Sequence, residues 1–200
     1  MTIKLLIVGD GERDGAMLPP IVSGILQRPV DAQNERWAST EYRVHHGYQR
    51  KLLIAIRRAK DQGKDGVVGV VDADNTEKRG ERLRKLRAGR EQDRQENAPF
   101  PTAIGIAVPH GEAWLLDDAH AVAECLQLGG TDNVRSWQDC KSPKDELTTM
   151  HRGSVRENEP PVEICREIAS LVLLARCRNS DKTGFADFVN DLTSEFDTRP

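Results

Sequence analysis

Short apolar runs alternate with amphipathic stretches through the first two thirds of the chain. Residues 3–8 (IKLLIV), 66–71 (GVVGVV) and 102–108 (TAIGIAV) are short, mainly apolar runs in which Lys4 and Thr102 are the polar residues. Such runs are typical of strands buried on both faces of a parallel sheet. Residues 40–46 (TEYRVHH) alternate in character and predict a further strand, the second in chain order.

Helices are predicted where apolar residues recur three and four positions apart. The pattern gives helices over 15–27, 48–62 and 76–92, and from Glu112 to about Leu128. Pro19 and Pro20 fit the first of these only near its first turn, because an interior proline removes a helical hydrogen bond.

The alternation of strands and helices indicates an α/β fold, with a mostly parallel central sheet of about four strands and helices on both faces. The rest of the chain predicts helices only. Ser142 and Pro143 suit the start of one helix, and two more fit 161–177 and 181–196. We therefore expect an α/β domain over 1–130 and a helical C-terminal extension over 131–200, packed together as a single structural unit.

The composition of the chain limits the classes of protein to which it can belong. The chain has 200 residues, of which 38% are hydrophobic and 30% charged, and it lacks an apolar run long enough for a membrane-spanning helix. Asp10 and Glu12 interrupt the only candidate for a signal sequence, so we expect a cytoplasmic protein with no membrane partner. The cysteines form no C-x-x-C pair and are expected to be buried free thiols: Cys125, Cys140, Cys165 and Cys177.

Acidic residues follow three of the predicted strands. Asp10 follows the first strand, Asp72 and Asp74 follow the strand at 66–71, and Glu112 follows the last strand after a short link. Because the carboxyl ends of parallel strands meet at one edge of a sheet, these carboxylates are expected to crowd together. Crowded like charges raise each other's pKa, and a cation relieves the repulsion. An all-oxygen ligand set favours Mg²⁺ or Mn²⁺ over zinc.

Each of these acids also has a purely structural explanation. Asp10 and Gly11 form a common turn dipeptide, and Asp74 could cap the following helix. Glu112 lies in a predicted first helical turn, where the helix dipole favours an acid. The joint occurrence at three strand ends is what favours a metal site.

A basic segment follows directly after the two aspartates. Residues 77–94 contain eight basic and four acidic side chains although the net charge of the chain is −3. Phosphate contacts are predicted for Lys78, Arg79, Arg82 and Lys85. The alternative is a solvated helix face with pairs of opposite charge one turn apart.

Two family resemblances compete for the acidic motifs. VVDADNT at 70–76 resembles the D-x-D-x-T motif of haloacid-dehalogenase phosphatases, and LLIVGDGERD at 5–14 resembles their G-D-G-x-x-D motif. That family has these motifs in the opposite order, so the resemblance implies a circularly permuted phosphatase.

The second resemblance needs no permutation. Asp10-Gly11-Glu12-Arg13-Asp14 resembles the E-G-x-x-D motif of Toprim domains, with Asp in place of Glu, and Asp72-Ala73-Asp74 resembles their D-x-D motif. GEAWLLDD at 111–118 and SPK at 142–144 are similar to a Toprim-like group described as domain of unknown function 4276, related to overcoming-lysogenisation-defect nucleases.

The Toprim-like resemblance implies a metal-dependent nuclease that hydrolyses nucleic acid, with DNA as the expected substrate. Mg²⁺ or Mn²⁺ would be the cofactor, and its ligands would come from Asp10, Asp14, Asp72, Asp74 and Glu112. Asp10 would also act as general base, and Lys144 would stabilise the transition state. Small domains of this kind also suggest an ATPase partner protein, which leaves a non-catalytic subunit docked on an ATPase as an alternative.

Overall fold

The protein forms a four-stranded, all-parallel sheet flanked by helices in a computed structural model that describes residues 1–74, 76–139 and 142–196. The strands are β1 (Ile3–Gly9), β2 (Val30–Arg36), β3 (Gly66–Asp72) and β4 (Thr102–Ala107). They lie in the order β2-β1-β3-β4, so the chain crosses over between β2 and β3. The predicted α/β class and its parallel sheet are confirmed.

Helices cover both faces of this sheet. In chain order they are α1 (Glu12–Leu26), α2 (Thr40–Arg43), α3 (Tyr48–Asp61), α4 (Thr76–Glu96), α5 (Glu112–Asp117), α6 (Ala119–Leu126), α7 (Pro143–Arg152), α8 (Pro161–Leu171), α9 (Ser180–Thr183) and α10 (Phe185–Phe196). One apolar core joins the sheet to α1, α5, α6, α8 and α10, and a second joins it to α3 and α4. None of the helices within the described ranges is long and apolar enough to cross a membrane.

The prediction of a strand over 40–46 is wrong. The second strand is β2, ten residues earlier, and 40–43 form the short helix α2. β2 is the edge strand of the sheet and carries mostly polar side chains, so it gives no apolar run in the sequence. Within 40–46, Tyr42 is fully buried but Val44 is 67% exposed, which is incompatible with a strand that has one buried face.

Several predicted helix limits are also corrected. α1 begins at Glu12 rather than 15, so Pro19 and Pro20 lie in its interior, where burial of neighbouring apolar residues outweighs the lost hydrogen bonds. The predicted helix from Glu112 is interrupted at Asp118, whose side chain accepts a hydrogen bond from the Ala121 N–H and caps α6.

The last two predicted helices end differently from the prediction. α8 stops at Leu171 rather than 177, and the helix predicted over 181–196 is divided by Gly184, which has φ of +79°. Cys125, Cys165 and Cys177 are buried free thiols, as predicted, whereas Cys140 lies outside the described residues.

The C-terminal helix α10 closes the open side of β4. Asp191 Oδ2 accepts a hydrogen bond from the Ile104 N–H at 2.8 Å, and Glu195 Oε2 accepts one from the Thr102 N–H at 3.1 Å. Arg90 of α4 pairs with both carboxylates. The helix therefore satisfies backbone donors that an edge strand would otherwise leave open.

Candidate functional site

A cleft of about 620 Å³ opens at the carboxyl edge of the sheet, where β1, β3 and β4 end. Four of the predicted acids line it: Asp10, Asp14, Asp72 and Glu112. Lys144, at the start of α7, lines the same cleft and is exposed. The fold thus brings together residues that are up to 134 positions apart in the chain, from Asp10 to Lys144.

Asp10 and Asp72 connect the ends of three strands. Asp10 Oδ2 accepts a hydrogen bond from the Asp72 N–H at 2.7 Å, across the adjacent strands β1 and β3. Asp72 Oδ1 accepts one from the Gly111 N–H at 3.0 Å, in the loop that follows β4. One carboxylate oxygen of each aspartate is therefore held by a hydrogen bond from a backbone N–H group.

Asp14 is buried beneath this pair, with 6% of its surface exposed. Its Oδ2 accepts hydrogen bonds from the N–H groups of Asp10 and Gly11, both at 2.8 Å. The approach depends on glycine, because a Cβ at Gly9 would lie 2.5 Å from Asp14 Cβ and a Cβ at Gly111 would lie 2.8 Å from Asp14 Oδ1. The glycines on either side are thus part of the site.

Glu112, which is 5% exposed, pairs with Arg13 at 3.1 Å. Arg13 also donates to Thr148 Oγ1 at 3.0 Å and to the Lys144 carbonyl oxygen at 3.4 Å. This arginine therefore connects α1, α5 and α7 beside the cleft. The sequence gives no signal for this arginine, because its position within the G-x-x-D spacing is a variable one.

Burial and crowding raise the pKa values of Asp10, Asp14 and Asp72. Burial raises the pKa of Asp72 to about 9, and the negative charges of Asp14, Asp10 and Glu112 add to the shift. Burial likewise raises the pKa of Asp14 to about 6, against hydrogen bonds from the Gly11 and Asp10 N–H groups, and raises the pKa of Asp10. At neutral pH the cluster favours an additional positive charge, either a proton or a cation.

Asp74 lies at the same edge but does not line the cleft. Its φ of +56° directs the chain away from β3, and its carboxylate pairs with Arg82 at 2.6 Å and Lys78 at 3.2 Å. Partial burial raises the pKa of Asp74, but the hydrogen bonds and charges of Lys78 and Arg82 outweigh this effect and hold the pKa below its ordinary value.

The donor set of the cleft fits a hard divalent cation. It includes the carboxylates of Asp10, Asp14, Asp72 and Glu112 together with the His110 imidazole, and Mg²⁺ in proteins keeps several waters and needs only one or two carboxylates. Over the described ranges, no three His, Cys, Asp or Glu side chains form a complete metal-binding group. Asp10, Asp14 and Asp72 each direct one oxygen to backbone N–H groups, Glu112 pairs with Arg13, and Asp74 pairs with Arg82.

The four basic residues predicted to contact phosphate all have partners within the protein. Lys78 and Arg82 pair with Asp74, and Arg82 also donates to the Asp72 carbonyl oxygen. Lys85 pairs with Glu81 one turn away. Arg79 binds Asp187 of α10 and the Asp181 carbonyl oxygen, so it faces the C-terminal extension.

Comparisons with known proteins identify no family for this chain. No family model matches, and no curated protein matches. Among solved structures, the chain is similar to the C-terminal region of the OLD protein of Xanthomonas campestris pv. campestris, at 12% sequence identity and a TM-score of 0.44, over 96% of this chain and 95% of that one. A similarity of this size does not establish a function for this chain.

Proposed function

We propose that this protein is a Mg²⁺- or Mn²⁺-dependent hydrolase of nucleic-acid phosphodiester bonds, of the Toprim type. The observation that carries the proposal is the cluster of Asp10, Asp14, Asp72 and Glu112 in one cleft, with an Asp72 pKa of about 9. In proteins, buried carboxylates are crowded together where a bound cation or a shared proton takes part in the function. Such a cluster is therefore a candidate reaction centre.

The proposed site residues have two roles, metal binding and direct participation in the reaction. Asp10, Asp14, Asp72, Asp74 and Glu112 would hold the metal, which when bound neutralises phosphate charge and activates water. Asp74 would have to turn away from Arg82 to join them. Asp10 would accept a proton from the attacking water, and Lys144 at the cleft mouth would contact the phosphate.

The order of the motifs supports the Toprim type over a permuted phosphatase. The acid after β1, the two aspartates after β3, and the GEAWLLDD and SPK segments occur in the order of the resemblance described above.

DNA is the proposed substrate, and an ATPase is the proposed partner.

A plasmid-nicking assay tests the proposal. We expect wild-type protein to nick DNA with Mg²⁺ or Mn²⁺ and not with EDTA, and Asp72→Asn to lose this activity while remaining folded. Asp61→Asn is the matched control, because Asp61 is an exposed aspartate at the end of α3, before the amino end of β3, whereas the cleft lies at the carboxyl end of that strand. Metal-independent nicking, or equal nicking by both variants, would refute the proposal.

One observation favours a second candidate function, a non-catalytic subunit that docks on an ATPase. Asp74 is neutralised by Arg82 and Lys78, and the described acids do not form a complete metal-binding group. In that case the wild-type protein would bind no divalent cation, and its melting temperature would be the same with and without millimolar Mg²⁺.

A further inference from the structure

A second groove, distinct from the acidic cleft, runs between α3 and α4. Its volume is about 500 Å³, and no carboxylate of the described residues lines it. The side chains that line it are His46, Gln49, Arg50, Leu53, Lys85 and Gln92. We call it the α3–α4 groove.

The lining of the α3–α4 groove includes two cations, Arg50 and Lys85, and no carboxylate of the described residues. Arg50 is exposed and makes no ion pair with any described residue, and the partner of Lys85, Glu81, is not among the lining residues. α3 begins at Tyr48, beside the groove, and has no acidic residue in its first turn, so the positive end of its dipole is not compensated there. Amide groups of Gln49 and Gln92, hydrogen-bonded to each other at 3.1 Å, add polar contacts between the two helices.

Tyr48 connects this groove to the acidic cleft. It lies between Gly47 and Gln49 in the chain, and the Arg82 guanidinium is 5.9 Å from the centre of its ring. Arg82 in turn binds the Asp72 carbonyl oxygen and the Asp74 carboxylate. Lys51 Nζ lies 5.7 Å from the same ring centre. Two cations therefore lie beside Tyr48: Arg82, which is paired with Asp74, and Lys51, which donates to the Trp37 carbonyl oxygen at 2.8 Å.

Three basic residues of α4 are engaged with the C-terminal helix. Arg79, Arg90 and Arg94 all pair with carboxylates of α10. These pairs hold the C-terminal helix on the sheet, so Arg79, Arg90 and Arg94 are occupied by carboxylates of the protein itself.

We infer that the α3–α4 groove binds the phosphodiester backbone of the nucleic-acid strand that extends from the acidic cleft, with Arg50 and Lys85 contacting phosphates. The inference rests on the proposed function and specifies the path of its substrate. It assigns a phosphate contact to Lys85 but not to Arg79, which binds Asp187 of α10.

The test measures DNA binding apart from DNA cleavage. Affinity for a fluorescein-labelled DNA oligonucleotide is determined by fluorescence anisotropy with Ca²⁺ at several salt concentrations. The variants are Arg50→Gln and Lys85→Gln. Their matched controls are Arg57→Gln on α3 and Arg84→Gln on α4, which remove the same charge from exposed positions of the same helices outside the groove lining.

We expect each groove variant to weaken binding about threefold or more and to reduce the slope of log K against log salt concentration by about 1. Each control should change the affinity and the slope much less. Equal effects in all four variants, or no DNA binding by the wild-type protein, would overturn the inference.

The nicking assay with Asp72→Asn distinguishes this failure from a failure of the proposed function. If DNA binding depends on Arg50 and Lys85 but the protein never nicks DNA, the result supports DNA binding in the α3–α4 groove and refutes the proposed nuclease activity. Metal-dependent nicking by a protein whose binding is equally affected by all four substitutions would support the nuclease and refute the groove.

Discussion

Asp72 is the residue on which the electrostatics of the cleft depend. It ends β3, it donates its N–H to Asp10 and it accepts from Gly111, so its position is fixed from both neighbouring strands. Its place at the sheet edge could be predicted from sequence, because two acids directly after a buried run have few other locations. The turn of Asp74 toward Arg82 could not, since it depends on one positive φ and on a side chain eight residues away.

The pH dependence of stability follows from the Asp72 and Asp14 carboxyls. Their folded-state pKa values of about 9 and about 6 exceed the ordinary value of 3.8, so the folded protein binds more protons than the unfolded chain between these limits. The free energy of unfolding should therefore fall as pH rises from about 4 to about 9. Thermal melts of metal-free protein across this range measure the effect.

Asp72→Asn isolates the source of that dependence. Removing the charge but keeping the shape should raise the metal-free stability at pH 8 by about 1 kcal/mol or more, roughly 2–4 °C in melting temperature for each kcal/mol in a protein of this size. It should also flatten the pH profile. A variant with the wild-type profile would contradict the raised pKa of Asp72.

The burial of Asp14 predicts a strict requirement for glycine at position 9. A Cβ there would lie 2.5 Å from Asp14 Cβ, so Gly9→Ala should displace Asp14 and cost about 1–3 kcal/mol in unfolding free energy. Gly24→Ala in α1 is the control, because a Cβ there meets nothing within 4 Å. It should be neutral or stabilise the protein by up to about 1 kcal/mol. Equal effects in urea unfolding would contradict the close approach.

Among the elements, α7 is joined to the cleft through Arg13. This helix carries Lys144, and Arg13 connects its first turns to the buried Glu112 of α5. Arg13→Met should destabilise the protein by about 2–4 kcal/mol, since it leaves Glu112 buried without its partner. Unfolding in urea measures the loss.

A double variant separates the ion pair from general packing. Adding Glu112→Gln to Arg13→Met should recover part of the stability, because no buried charge then remains unpaired. Arg166→Met, which breaks an exposed pair with Glu163, is the control and should cost less than about 1 kcal/mol. Strictly additive single effects would show that Arg13 and Glu112 do not interact.

The strands that could be predicted from sequence were those buried on both faces. β1, β3 and β4 have central or covered positions and read as apolar runs. β2 was missed because an edge strand can remain polar, as its VDAQNER sequence shows. The break at Asp118 was missed because it depends on tertiary contacts: that carboxylate also binds the Leu173 N–H and Arg176.

At the scale of the whole molecule, the sheet order places the two acidic motifs on adjacent strands, β1 and β3. A permuted haloacid-dehalogenase phosphatase would use Asp72 as a covalent nucleophile, whereas a Toprim-type nuclease would use it to hold metal. We expect no fluoroberyllate adduct on Asp72 by mass spectrometry and no hydrolysis of small phosphate monoesters. An adduct together with monoesterase activity and no DNA nicking would favour the phosphatase.

The most direct test of the metal-dependent account is the location of a bound divalent cation. Crystals soaked in Mn²⁺ should show an anomalous density peak in the cleft, within coordination distance of the Asp10 and Asp72 carboxylates, and crystals of Asp72→Asn should lack it. No peak at a Mn²⁺ concentration that supports nicking, or a peak only at another place on the protein, would contradict the account.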